Sequence, residues 1–412
     1  MTTVEQRAGL CPVTHFDYSP IRPVGAYRAK AQELRDDGAP LWVNTQSQGF
    51  WMVSDPELVK EVYMNYELFR VDSVTAVDPE LDPSQFLVPL NINPPDHQKF
   101  RSLLNPWFSP PSVAKREAVM RENLRNLVSG FAGLGRVEAA REYAAKVPVL
   151  NLLSFANMPI NLAERLIDLV DAFMAGFSGA ECPVGEDGIR PGMTSATDEI
   201  NALMGSVIED RRQNPLNPDM DLFTNLVQAE VDGRPLTNEE LTGIGLIYVV
   251  GGMETTRAQL GWLMYHMARF PEDRRRVLAD PTLLTSAIEE CIRYYTVIWG
   301  VGRKVGFDTP WHGADLRKGD MVYALNSVFN CDTRRFANAD SFILDRKPGP
   351  NLSFGRGPHS CIGMHLARTQ LRLAFEEWHR QIPEYNIEDG AELFERGSEI
   401  TIQSLPLVWQ PA

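Results

Sequence analysis

Hydrophobic residues recur every three to four positions over much of this chain, which is the spacing of one face of an α-helix. The clearest stripe lies near the C-terminus and comprises Ala367, Leu371, Ala374, Phe375 and Trp378. The same periodicity predicts helices near 114–131, 161–177, 196–212, 219–231, 238–270, 284–295 and 362–381. These segments predict a mainly helical protein, mainly α with a minor β portion.

The β portion is predicted near the N-terminus. Leu41-Trp42-Val43 and Phe50-Trp51-Met52-Val53 are short apolar runs separated by polar turn residues, and they predict a small hairpin. Asp55-Pro56-Glu57 follows, with an N-cap residue before a proline, so a helix is expected to begin there. The segment Gly179–Met193 holds four glycines and two prolines without periodicity and predicts a loop, either a lid over a binding site or an ordinary surface loop.

Composition narrows the class of protein. The 412 residues include 44% apolar side chains and no linker or repeat, so we expect one domain over 1–412. A net charge of −14 disfavours nucleic acid and anionic membranes as partners. Residues 1–7 lead into no signal or anchor segment, and the apolar stretch 241–253 is shorter than the ~20 residues that cross a bilayer. Five scattered cysteines predict a reducing cytoplasm, and we expect a bacterial source: Cys11, Cys182, Cys291, Cys331 and Cys361.

One cysteine lies in an unusual setting. Phe354-Gly355-Arg356-Gly357-Pro358-His359-Ser360-Cys361-Ile362-Gly363 places it between glycines just before a predicted helix. Backbone N–H groups and the positive end of that helix favour an ionised sulfur, and a thiolate is the form that binds a metal. A lone cysteine is more often a buried residue beside a glycine-rich turn, and that is the alternative interpretation here.

The pattern F-G-x-G-x-H-x-C-x-G resembles the cysteine loop of the haem-thiolate monooxygenases, the cytochrome P450 superfamily, and the chain is most similar in appearance to the soluble bacterial camphor and terpenoid hydroxylases. The resemblance implies a triangular helical domain with small β-sheets around a buried haem b. It also implies that the thiolate of Cys361 is the axial ligand of the haem iron.

A second motif lies in the helix that is apolar on all sides near 241–250. Gly251-Gly252-Met253-Glu254-Thr255 places a carboxylate and a hydroxyl in an otherwise apolar helix, where they are costly to bury without partners. By resemblance, Thr255 would hold a water for proton delivery and Glu254 would relay protons from solvent. The alternatives are that Thr255 bonds a carbonyl one turn back and that Glu254 faces solvent. The two glycines would let the helix open locally.

Two further sets of residues follow from the resemblance. Glu290 and Arg293 match the buried E-x-x-R pair of the superfamily and are predicted to be structural. Many members complete that network with an arginine before a phenylalanine, but Ser341 occupies that position here, so the third partner is left open. His97, Arg101, Arg303 and His359 are expected to bind the haem propionates, because guanidinium and imidazole donors suit carboxylates.

The substrate pocket is expected near the apolar helix and the segment before Arg303. Its predicted lining residues are Gln85, Phe86, Leu90, Ile247, Val250, Gly251, Ile298, Trp299 and Ile400. Trp299 would narrow the cavity, and Gln85 would be a hydrogen-bond partner where camphor-type members use a tyrosine. The apolar lining favours a small hydrophobic substrate, such as a monoterpenoid, a norisoprenoid or a substituted aromatic, for hydroxylation or oxidative dealkylation.

The resemblance also implies redox partners: a [2Fe-2S] ferredoxin and an NAD(P)H-dependent ferredoxin reductase, acting on a monomer. Lys99, Arg101, Arg116 and Arg356 are expected to form a basic docking face for the acidic ferredoxin. Three alternatives stay open at this point. They are a haem-thiolate enzyme that uses peroxide or isomerises its substrate, a non-catalytic haem-thiolate sensor, and a haem-free helical binding protein.

Overall fold

The computed structural model describes residues 3–7, 9, 11–17, 20–46, 49–72, 86–178, 191–397 and 399–411. Within these ranges most residues are helical, and short strands form small sheets. The helices are α1 Ala26–Asp37, α2 Pro56–Met64, α3 Asp96–Leu104, α4 Pro110–Ala114, α5 Glu117–Ser129, α6 Lys146–Phe155, α7 Ala163–Ser178, α8 Pro191–Gln213, α9 Leu222–Gln228, α10 Asn238–Arg269, α11 Pro271–Ala279, α12 Leu284–Tyr294, α13 Asn326–Asn330 and α14 Met364–Gln381. A mainly α fold with a minor β portion is confirmed.

The strands are short, and several pair with partners far away in the sequence. They are β1 Val13–Thr14, β2 Arg22–Pro23, β3 Leu41–Asn44, β4 Phe50–Val53, β5 Phe69–Arg70, β6 Arg136–Glu138, β7 Glu230–Val231, β8 Arg234–Pro235, β9 Val301–Val305, β10 Thr309–Trp311, β11 Ala314–Leu316, β12 Met321–Ala324, β13 Asn386–Ile387, β14 Phe394–Arg396, β15 Thr401–Ile402 and β16 Pro406–Val408. The largest sheet has the order β1-β3-β4-β12-β9-β5. In it, β3 and β4 form the predicted antiparallel hairpin, and β4 also pairs in parallel with β12.

The longest helix, α10, lies at the centre of the helical layers. Its 32 residues span about 48 Å. Thr237 and Glu240 form a capping box at its start, which satisfies two N–H groups that the helix cannot pair itself. Gly245 and Gly252 allow close packing, because a Cβ at either position would lie 2.8 Å from a side chain of a neighbouring helix. The helix is continuous through the Gly251-Gly252 pair, so the expected local opening is not observed.

Each periodic segment predicted from the sequence contains a helix, but the bounds differ at two places. The segment 219–231 was expected to be helical throughout, whereas α9 ends at Gln228 and Glu230 begins a strand. The cause is the Asp232-Gly233 turn, in which both residues have positive φ and connect β7 to β8 as a tight hairpin. Likewise α8 begins at Pro191, inside the predicted loop 179–193. Residues 179–190 of that loop lie outside the described residues.

The Glu290 and Arg293 pair connects α12 to the segment between Asn330 and Arg346. Arg293 donates to both carboxylate oxygens of Glu290, at 2.7 and 2.8 Å, and to the backbone oxygen of Asn330 at 2.7 Å. The third partner is Arg346, whose Nε donates to Glu290 Oε2 at 2.9 Å. Ser341 contributes through its backbone oxygen, which accepts from Arg293 at 3.2 Å. The network is therefore complete without an arginine at position 341.

We expect Arg346→Met to lower the free energy of unfolding by about 1.5–3 kcal/mol, because Glu290 is buried and would lose a charge-assisted hydrogen bond. Urea unfolding followed by tryptophan fluorescence measures the change. Arg276→Met is the control, since Arg276 is exposed and has one loose contact with Asp273, so its effect should stay below about 1 kcal/mol. Equal effects of the two substitutions would contradict this role of Arg346.

Candidate active site

A cavity of about 410 Å³ is lined by both α10 and the loop that precedes α14. Residues that are far apart in the sequence meet here. The cysteine loop contributes Cys361 and His359, α10 contributes Glu254 and Thr255, and β9 contributes Arg303. The sequence motifs predicted to carry the chemistry therefore surround one space.

The cysteine loop is held by its own backbone. The N–H of Cys361 donates to the Phe354 oxygen at 2.8 Å. Gly357 has φ +73°, and a Cβ there would lie 3.0 Å from the Tyr63 backbone oxygen, so this close approach requires glycine. Burial raises the pKa of the Cys361 thiol, and the Gly363 N–H, Arg101 and Arg368 oppose that rise. Cys361 lines the cavity and is accessible from it, and such a thiol ionises when a metal cation replaces its proton.

Four basic side chains gather at one side of the cavity. The ring centroids of His97 and His359 are 4.1 Å apart. Arg101 Nη1 donates to the Ser360 oxygen at 2.8 Å, and Arg303 Nη1 donates to the oxygen of its neighbour Gly302 at 2.7 Å. Burial lowers the pKa of His97 to about 4 and that of His359 to about 3, and the nearby arginines contribute in the same direction.

These four side chains fit the carboxylates of a haem. Nδ1 of His97 and both ring nitrogens of His359 are buried without a hydrogen-bond partner. Among the described residues, no carboxylate forms an ion pair with Arg101 or Arg303, although Arg303 is only 6% exposed. Buried polar nitrogens without partners are costly, so the two histidines call for a ligand, and the two arginines without a carboxylate favour an anionic one. Two propionates would supply acceptors, with the Cys361 sulfur in the same cavity.

Thr255 and Glu254 lie on the α10 wall of the cavity. The hydroxyl of Thr255 donates to the Gly251 oxygen at 2.9 Å, one turn back, while the residue also lines the cavity. Glu254 is 1% exposed, so the alternative that it faces solvent is wrong. Its Oε1 accepts from Arg396 and from the Thr401 hydroxyl, both at 2.8 Å. These partners on β14 and β15 were not predicted from the sequence.

A chain of charged groups connects Glu254 with α7. Arg257 Nη1 lies 3.5 Å from Glu254 Oε2, and the same nitrogen donates to Asp171. Asp171 in turn accepts from Arg141 at 3.2 Å, and Arg141 is 38% exposed. Polar groups therefore run from the buried carboxylate to the surface.

Several predicted pocket residues line the cavity and others do not. Leu90, Ile247, Val250, Gly251 and Ile298 are lining residues. Trp299 is not, because its indole N–H donates to the Tyr27 oxygen at 3.2 Å and its ring packs against Phe16. Phe86 is 40% exposed, and the Ile400 side chain is buried behind the wall. Gln85 lies outside the described residues.

Additional lining residues were missed by the sequence analysis. Phe173 and Met174 come from α7, Tyr248 comes from α10, and Val297 precedes Ile298. The apolar face of α7 was a visible signal, but periodicity alone does not show which neighbour a face contacts. Glu399, from the turn before β15, also lines the cavity, and no motif marked it.

Most residues of the expected basic docking face already have partners within the protein. Lys99 forms ion pairs with Asp96 and Asp232, at 2.7 and 2.6 Å. Arg116 is 8% exposed, and its guanidinium lies 4.3 Å from the ring centroid of Phe155. Arg101 donates inward to the cysteine loop. Arg356 is the most exposed of the four residues, and Arg116 is buried. The prediction that all four residues form one exposed basic face is therefore wrong.

Comparisons with known proteins agree with this site. The sequence profile described as Cytochrome P450 matches residues 187–378. The methyl-branched lipid omega-hydroxylase of Mycobacterium tuberculosis is 30% identical over 77% of this chain and 74% of its own length. The epothilone C/D epoxidase of Sorangium cellulosum is 27% identical over 96% of both chains. The crystal structure of CYP101J2 superposes with a TM-score of 0.87 at 30% identity, covering both chains fully.

The chain belongs to the cytochrome P450 family. It is an oxidoreductase of the monooxygenase class, and the cofactor of this family is a haem whose iron is bound by a cysteine thiolate. Among the described helices, none has the length and apolar character that a membrane crossing requires.

We expect Arg303→Met to accelerate loss of haem by about 10-fold or more, because a charge-assisted hydrogen bond to a propionate would be lost. The rate of haem transfer to apomyoglobin measures this directly. Lys304→Met is the matched control, since Lys304 follows on the same strand and points to the opposite face. Equal rates for the two variants would show that Arg303 does not hold the haem.

Proposed function

We propose that this protein is a ferredoxin-dependent monooxygenase that hydroxylates, or oxidatively dealkylates, a small hydrophobic molecule. One observation carries the proposal. A single cavity has Cys361 on one wall, Thr255 and Glu254 on another, and buried basic side chains without carboxylate partners at its edge. We further propose that residues 1–412 form one catalytic domain, which acts as a monomer in the cytoplasm of a bacterium.

In this proposal the thiolate of Cys361 would bind the haem iron, and His97, Arg101, Arg303 and His359 would bind the propionates. The geometry of the cysteine loop supports the first role. The unpaired ring nitrogens of His97 and His359, and the two arginines without a carboxylate partner, support the second. When bound, the haem supplies the capacity to activate dioxygen with electrons that arrive one at a time. Glu290 and Arg293 act on the scaffold behind the loop.

Thr255 and Glu254 would deliver protons. The Thr255 hydroxyl donates its hydrogen bond to the Gly251 oxygen. Its lone pairs therefore remain able to accept a hydrogen bond from a water and orient it. Glu254 Oε2 is buried without a hydrogen bond, so this oxygen is the one that can take and pass a proton. The Arg257, Asp171 and Arg141 chain gives a polar connection to the surface. This pair favours dioxygen over a peroxide-using or isomerising reaction.

The apolar lining supports a compact hydrophobic substrate, such as a monoterpenoid, a norisoprenoid or a substituted aromatic. The cavity of about 410 Å³ includes the residues assigned to the haem, so only part of it is left for substrate. Two of the relatives are named for larger substrates, a methyl-branched lipid and epothilones C and D. The CYP101J2 structure matches this chain over its whole length. We place the substrate at Leu90, Ile247, Val250, Gly251 and Ile298.

Electrons would come from a [2Fe-2S] ferredoxin and an NAD(P)H-dependent ferredoxin reductase. Arg356 is exposed in the cysteine loop, so an acidic partner that pairs with it would bind beside the haem site. Lys99 pairs with Asp232, and Arg116 packs against Phe155. The docking face therefore has fewer free basic residues than the sequence suggested.

Substitutions of the α10 pair test the proton-delivery roles. With a screened monoterpenoid that shifts the haem spin state, Glu254→Gln should slow product formation about 100-fold, the size of a general acid–base contribution. Thr255→Ala should keep consuming NAD(P)H but divert it to hydrogen peroxide, because the ordering hydroxyl is lost. The ratio of product to NAD(P)H measures the difference.

Thr255→Ser is the matched control, since it retains the hydroxyl and should keep most of the coupling. Wild-type coupling in Thr255→Ala, together with wild-type rates in Glu254→Gln, would remove both residues from the proposed mechanism.

A further inference from the structure

Glu399 places a carboxyl group in the wall of the cavity. The proposed proton delivery does not involve this residue. It lies between β14 and β15 and forms an isolated antiparallel bridge with Ile298. The next residue, Ile400, donates its N–H to the Val297 oxygen at 2.8 Å. Because Val297 and Ile298 line the same cavity, the backbone of Glu399 is fixed beside the substrate space.

Glu254 and Glu399 are the carboxyl groups among the described lining residues, and their partners differ. Glu254 has Arg396 and Thr401 at 2.8 Å and Arg257 at 3.5 Å. Glu399 Oε2 is buried without any hydrogen-bond partner, and none of the ion pairs among the described residues includes Glu399. Arg396 already donates to Glu254, and Glu399 Oε2 keeps unused hydrogen-bonding capacity.

The surroundings favour the neutral form of Glu399. Burial raises its pKa to about 7, the negative charge of Glu254 adds to that rise, and Arg396 opposes it only in part. A protonated carboxyl carries an O–H donor, and a buried donor without an acceptor is unfavourable until a ligand supplies one.

Three other polar side chains that line the cavity have partners within the protein. The hydroxyl of Tyr248 donates to the Leu152 oxygen at 2.7 Å, and the amide of Gln259 donates to the Cys291 sulfur at 3.3 Å. Thr255 donates to Gly251. Unlike these three side chains, Glu399 has a carboxyl oxygen without a partner, which is able to bond a polar atom of the substrate.

We propose that Glu399 is a specificity-determining residue, whose protonated carboxyl donates a hydrogen bond to a carbonyl or ether oxygen of an otherwise hydrophobic substrate. This inference rests on the proposed function and narrows its substrate class from any small apolar molecule to one with an oxygen acceptor. The fixed position of Glu399 would then hold one end of the substrate and limit which carbon lies nearest to the haem.

Three probes with one skeleton test the inference on the haem-loaded enzyme: adamantane, 2-adamantanone and 2-aminoadamantane. Dissociation constants are measured from the change of the Soret band on titration. The wild type should bind the ketone about 5-fold to 10-fold more tightly than the hydrocarbon, which is the effect of one hydrogen bond. Glu399→Leu should abolish this preference, and Glu399→Gln should retain it because the amide still donates. Glu392→Leu, which removes an exposed carboxylate of the same segment, should leave it unchanged.

A pH titration gives a second measurement on the wild type alone. Glu254 and Arg396 are the charged groups that act on Glu399, with Arg257 beyond Glu254. Raising the pH from 6 to 9 removes the Glu399 proton, so the preference for the ketone should fall while adamantane affinity stays constant. Glu399→Gln should show no such change. If Glu399→Leu fails to fold, these two titrations decide.

Equal ketone preference in wild type and Glu399→Leu would overturn the inference. So would a ketone preference that does not change with pH. Tightest binding of the amine, increasing as Glu399 ionises, would show an ion-pairing site instead and would also overturn it. If no probe binds although the carbon monoxide complex has the Soret position of thiolate ligation, the anchor fails and the proposed function stands. Absence of that Soret position means that the proposed function itself has failed.

Discussion

The haem site depends on two histidines whose buried ring nitrogens the protein does not satisfy by itself, and on two arginines beside them. His97, His359, Arg101 and Arg303 converge at the edge of one cavity, and the described residues offer them no carboxylate. Burying such groups disfavours folding unless a ligand supplies acceptors. The same cavity holds the Cys361 thiol, whose pKa is raised by burial, and a bound metal cation favours the thiolate form. A haem provides an iron cation for the sulfur and two carboxylates for the donors, so one molecule satisfies both demands.

A second network holds the cysteine loop in place for that ligand. Glu290 binds Arg293 and Arg346, and Arg293 extends the network to the backbone of Asn330. The side chain of Asn330 then accepts from the Leu352 N–H and donates to the Ser353 hydroxyl, each at 2.9 Å. Leu352 and Ser353 directly precede the cysteine loop. The ion pairs therefore act on the iron site through backbone position, although none of them reaches the cavity.

The sequence predicts some features well because they are local. The stripe of α14 and the Gly-rich loop before Cys361 are patterns of neighbouring residues, and α10 is recognisable from its long apolar run. Helix α6 was missed because its residues are buried on most sides, so the sequence has no polar face to reveal a period. Strands β9 and β12 were missed because their pairing joins segments that no local pattern relates.

The site residues were harder to predict, because the sequence does not show which way a side chain points. Trp299 is next to a lining residue, but alternation along an extended segment turns its indole toward Tyr27 and away from the cavity. Arg346 and Glu399 carry no motif, and their roles appear only when the chain brings Glu290 and Ile298 beside them. The expected partner suggested a basic docking face, yet Arg116 packs on an aromatic ring and Lys99 pairs with aspartates.

The most direct test of this account is the spectrum of the dithionite-reduced protein under carbon monoxide, recorded for the wild type and for Cys361→Ala. The account predicts a strongly red-shifted Soret band, as thiolate ligation produces, in the wild type and its loss in the variant. A haem band at the histidine-ligated position in freshly folded wild type, or a protein that binds no haem, would contradict it.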